Sequence, residues 1–197
     1  MKLLYILLLI CFVYPATAQD FATLDDFEKV MKPGTILTYD VTEDGKQYQW
    51  KVKLVKVGNE LSYTWETTTP SLLKGTTSVT ANGMANADAL SKLLATGTAT
   101  LDKEVALLIS KKMFDEVSTT SQLSLRVNGA ADAAAVFSNT IAELSFTIND
   151  KPAGIQGWEL EDNEKKYKLS VIESYKYPLI YSLDAGVSLR LVSIQTQ

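Results

Sequence analysis

The side chains that could do chemistry in this chain are few, because the usual agents are absent. Its 197 residues include no histidine. Histidine is the side chain whose unperturbed charge changes near neutral pH. Without it, Ser–His–acid and Cys–His nucleophile systems cannot be assembled. The one cysteine, Cys11, sits in an N-terminal apolar run. Zinc therefore loses its usual nitrogen and sulfur ligands, and haem and iron–sulfur groups lose theirs. Gly154 and Gly157 are not followed by the lysine of a phosphate loop. The sequence predicts no cofactor, no metal site and no catalytic residue that can be named outright.

Three constellations remain. Glu159, Glu161, Asp162 and Glu164 cluster beside Trp158. Paired carboxylates about 5–10 Å apart can hydrolyse glycosidic bonds, and aromatic rings pack on sugar faces. Lys165 and Lys166 follow at once, so the same run also reads as a solvated hairpin tip. It lacks the spacing and turn glycine of a calcium loop. Ser91-Lys92 and Ser110-Lys111 are formal Ser–Lys pairs, but adjacent residues do not face each other on a helix. The third constellation is aromatic. Tyr48, Trp50, Tyr63 and Trp65 share parity on two neighbouring segments. They read either as core or, with Trp158, as the lining of a pocket for a greasy ligand.

Strands must position these residues. Leu37, Tyr39 and Val41 alternate with polar neighbours; so do Tyr48, Trp50, Val52 and Leu54, and then Leu61, Tyr63 and Trp65. Alternation gives each strand one wet and one dry face. The turn signals Asp44-Gly45 and Gly58-Asn59 separate them. Antiparallel strands are expected over about 35–42, 47–56 and 61–69, with Pro70 ending the third and another strand near 74–80. Alternation returns at 123–127, 144–148, 167–171, 179–183 and 187–191, with a turn at 149–152 and with Ile155, Trp158 and Leu160 leading into the polar stretch 161–165. Helices are expected at 25–31, with Thr23 as cap and Asp26 in the N3 position, and at 86–95, stopped by Gly97. A helical turn is expected at 111–117. Residues 105–109 read as strand or helix start, and 130–137 as helix or surface loop. The sum is a mainly β, α+β fold: a curled antiparallel sheet or half-barrel with a few short helices. A two-sheet sandwich is the alternative.

The chain's start points to export. Lys2 precedes the apolar run Leu3–Val13, and Ala16-Thr17-Ala18 offers small residues for cleavage. This is the order of a secretory signal peptide, expected to be removed after residue 18. The run is about half the ~20 residues of a membrane span. Ile10 before Cys11 does not suit a lipoprotein site. Residues 19–197 suit one β-rich domain. Loss of Lys2 takes the net charge from −4 to −5. With no basic window, nucleic acid is not an expected partner, nor is an anionic membrane, and no second run is long enough for an integral membrane protein.

Pro33-Gly34-Thr35-Ile36-Leu37-Thr38-Tyr39, then Gly45-Lys46-Gln47-Tyr48, and Tyr177-Pro178-Leu179-Ile180-Tyr181 near the end resemble uncharacterised exported bacterial proteins. Those proteins are loosely similar to periplasmic lipoprotein carriers, whose half-barrel cradles acyl chains. The resemblance covers the two ends of the mature chain and carries over no functional residue. It implies a curled sheet and hydrophobic ligand binding. The expectation is thus a periplasmic or extracellular, non-catalytic module for a lipid or other apolar small molecule, with Tyr48, Trp50, Tyr63, Trp65 and Trp158 as its lining. A carboxylate-dependent glycan-acting enzyme and an envelope interaction or structural protein without a small ligand stay open.

Overall fold

Strict alternation of apolar and polar residues makes most of this chain strand. The computed structural model describes residues 21–68, 72–94, 96–127 and 134–197. Residues 1–18, where a signal peptide is expected, Pro70 and residues 130–133 lie outside them.

Helix α1 (Leu24–Val30) opens the described chain. Thr23 accepts from the Asp26 amide at 3.3 Å, and the Asp26 carboxylate accepts from the Thr23 amide at 3.0 Å. This reciprocal capping box satisfies two otherwise orphaned donors. Strands β1 (Ile36–Glu43), β2 (Lys46–Lys56), β3 (Leu61–Thr67) and β4 (Lys74–Val79) follow as an antiparallel meander. Asp44 and Gly45 both have positive φ, the tight hairpin turn their types favour.

The next stretch departs from expectation. Helix α2 is Ala81–Asn86, one element earlier than the helix expected at 86–95. Thr80 supplies the cap by accepting from the Gly83 amide at 3.1 Å. Residues 87–94 are instead held by their backbone: Leu90 N–H donates to Arg126 O, and Val105 N–H donates to Ala89 O. Tertiary pairing overrides the helical spacing of Leu90, Leu93 and Leu94. Gly97 starts strand β5 (Gly97–Leu101), parallel to β4, rather than stopping a helix. Residues 105–109 are neither strand nor helix, and all five are buried.

Helix α3 (Lys111–Thr120) is longer than the turn expected there. Strands β6 (Gln122–Arg126), β7 (Ala134–Ile148), β8 (Lys151–Asp162), β9 (Lys168–Ile172), β10 (Ile180–Asp184) and β11 (Ser188–Gln195) complete the fold. Residues 134–137, read from sequence as helix or loop, begin β7. All eleven strands form one sheet, in the order β5-β4-β3-β2-β1-β11-β10-β9-β8-β7-β6. It is mainly antiparallel and curls without closing into a barrel. The curl brings the end of β7 beside β11, where Thr147 and Ile148 pair with Ser193 and Ile194.

The β7–β8 hairpin shows how the curl is made. Near its Asn149-Asp150 turn it buries Leu144, Phe146, Ala153 and Ile155; farther out it buries Phe137, Trp158 and Leu160. The pairing register is unbroken between the two halves, so the halves bury opposite faces. Gly157 sits at the change-over. A Cβ there would lie 2.3 Å from Leu144 Cδ1 and 2.5 Å from Val171 O.

Candidate ligand-binding site

The inner face of β1–β3 carries the aromatic cluster. Tyr39 is paired with Trp50 across β1 and β2, their rings 5.2 Å apart. Trp50 meets Tyr63 at 6.5 Å and Trp65 at 6.4 Å, both edge-on, a favourable geometry for aromatic quadrupoles. The Trp65 ring lies over Gly75, where an added Cβ would come within 2.7 Å of it. Register puts Trp65 opposite Val52 and Tyr63 opposite Leu54, so the aromatics interlock diagonally. Tyr39 was missed as a site residue, although its parity with Leu37 and Val41 placed it on the same dry face.

Tyr48 and Trp158 stand apart from this cluster. Tyr48 is half-buried at the end of β2 and donates to Glu43 at 2.8 Å. Loss of solvent and that bond push its phenol up to about 12. Trp158 is buried against Phe114 of α3 at 4.9 Å. Phe114 in turn meets the exposed Tyr175 at 5.6 Å.

Burial raises the phenols of Tyr39 and Tyr63 far above their ordinary range. Tyr39 donates to Ile180 O at 2.8 Å. Trp50 is 1% exposed, and its indole N–H has no acceptor among the described residues. Buried indole N–H groups usually find one.

Two irregular segments, 87–94 and 105–109, reach over this face through residues 91–94 and Ala106. Between cover and sheet lies a cavity of about 20 Å³, lined by Trp50, Tyr63, Trp65, Thr77, Ser91 and Leu94 among others. Leu94 and Leu107 of the cover adopt φ of 62° and 72°, a conformation that bulky residues rarely take.

The carboxylate cluster divides between faces. Glu159 and Glu161 line an open trough of about 700 Å³ on the other side of the sheet, with Ser170 and Ser182. Glu161 pairs with Lys168 at 3.1 Å. Asp162 is buried, and its carboxylate accepts from the amides of Tyr167 at 2.6 Å and Glu164 at 3.2 Å. It therefore holds a turn. Trp158 points away from this trough into the core, so it gives the carboxylates no sugar platform. The Ser–Lys pairs divide in the same way. Ser110 caps α3 and donates to Ala87 O at 2.6 Å, while Lys111 contacts Asp115 and the Tyr175 hydroxyl. Ser91 and Lys92 belong to the cover. Among the described residues no group of three or more acidic side chains is placed to hold a metal, and no helix is long and apolar enough to cross a membrane. No family model, no curated protein and no solved structure matches this chain.

Proposed function

We infer that this chain is an exported, non-catalytic module, periplasmic or extracellular, that binds a lipid or other hydrophobic ligand on the aromatic inner face of its sheet. The observation that carries the reading is the cover. Within segments 87–94 and 105–109, residues 91–94 and Ala106 lie beside Trp50, Tyr63 and Trp65 without forming a helix or strand, and isolated bridges at Ala89, Leu90, Val105 and Leu108 attach the segments. Leu94 and Leu107 hold left-handed backbone within them. Strain of this kind costs about 1–3 kcal/mol per residue and gathers at ligand clamps and switch regions. Withdrawal of the cover relieves that strain and opens an apolar face with one unused donor, Trp50 Nε1.

Native mass spectrometry of the mature chain, purified from exporting cells without detergent, tests this. The expected result is an adduct of apolar mass that solvent extraction removes. Repeated spectra of the bare chain contradict it. They favour the second reading, an envelope interaction protein without a small ligand, which draws on the filled interior and its cavity of only about 20 Å³.

A further inference from the structure

The residues between the aromatics line a second groove. Lys51 and Lys53 alternate with Trp50 and Val52 along β2, so they project from the opposite, solvent-facing side of the sheet. Register carries Lys51 across Glu66 of β3 to Lys74 of β4. Lys53 leads in the same way to Thr64, Thr76 and Thr98. Cα atoms two strands apart are roughly 9–10 Å from each other, and those two residues apart on one strand roughly 7 Å. The three lysine stems are long enough to converge from these positions. They line a groove of about 740 Å³ together with the three threonines, Glu66, Ile36 and the edge of Trp65 beside Gly75, a size typical of small-molecule sites.

The groove gathers three cations around a single carboxylate. Several cations elsewhere are matched: Lys56 with Glu60, Lys111 with Asp115, Lys112 and Arg126 with Asp88, and Lys168 with Glu161. Among the described residues, Lys51, Lys53 and Lys74 have no carboxylate within ion-pair distance; Lys53 reaches only the neutral amide of Gln197, at 3.1 Å. Three ammonium groups against Glu66 leave two positive charges in a chain of net charge −4. A phosphate dianion matches that surplus. Lysine binds phosphate as a point charge, and threonine hydroxyls can donate to the remaining oxygens.

We propose that this groove binds the phosphate group of a small phosphate-bearing ligand, through Lys51, Lys53 and Lys74. The three lysines project from the opposite side of the strands to the aromatic side chains, so the proposal stands whether or not the aromatic face binds lipid.

Inorganic pyrophosphate titrated into the mature chain at low salt is the test, read by amide shifts at Lys51, Thr64, Thr76 and Thr98. Phosphatidylglycerol vesicles form a parallel arm. The expected result is saturable binding that weakens with salt. It falls at least tenfold in K51Q/K53Q/K74Q and persists in K32Q/K103Q/K176Q, which removes the same charge elsewhere. Response to pyrophosphate identifies a soluble phosphate, and lysine-dependent response to vesicles alone identifies a lipid headgroup. No response in either arm, or equal loss in both variants, overturns the proposal. Since all six lysines are exposed, unchanged folding of both variants keeps the comparison clean.

Discussion

Trp50 and Lys51 are neighbours in one strand and do opposite things. Trp50 faces inward, touches three aromatic rings and is shut away from water. Lys51 faces outward into a groove and is exposed. The inner face supplies the burial that holds the sheet in its curl. The outward lysines of β2 are exposed, so they are free to serve recognition. The teaching is that one stretch of alternating sequence can encode a core and a binding surface at once.

Trp50→Ala strikes the inner face at its centre. Removing a buried indole should cost about 3–5 kcal/mol, read as a lower urea midpoint. Survivors should still bind pyrophosphate, because the lysines lie on the other side. Gly157→Ala probes the change-over of the β7–β8 hairpin. Its Cβ meets the Val171 carbonyl at 2.5 Å, and overpacking of this kind costs about 1–3 kcal/mol. Tyr39→Phe removes one buried hydrogen bond to Ile180 O and should cost about 1 kcal/mol.

Alkali sharpens the same contrast without mutation. The phenols of Tyr39 and Tyr63 have folded-state pKa values raised above the ordinary value of 10. The folded chain therefore holds these protons more tightly than the unfolded one. Their contribution to stability is complete below pH 10 and is lost as pH climbs from 10 through the raised folded-state values. Urea midpoints should fall over that range, and the phenolate absorbance of these two residues should appear only with unfolding. Lys51→Gln should have the smallest effect on stability, within about 0.5 kcal/mol, with weakened pyrophosphate binding as its main signature.

The legible parts of the sequence were those where one local rule governs. The rhythm of residues 36–67, the Asp44-Gly45 turn and the Thr23 capping box stand in the structure as their residue types require. What stayed hidden depends on pairing between distant segments. The leucines at 90, 93 and 94 have helical spacing, yet backbone bonds to Val105 and Arg126 decide their conformation. The burial of β7 and β8 changes face midway, so no single parity describes either strand. The lysine groove was invisible for the same reason: Lys51 and Lys74 are 23 positions apart and share a face only through β3. The aromatic candidates were mostly placed on the dry face as read, but their cover could not be seen without the fold.

The cover is also where the functional account is most exposed to test. Amide hydrogen exchange of residues 19–197, measured under native conditions, compares residues 87–94 and 105–109 directly with β1–β3. The cover's amides should exchange through a local opening of lower free energy, while β1–β3 exchange only through global unfolding. Equal protection of cover and strands would mean that the inner face does not open, and would contradict ligand binding there.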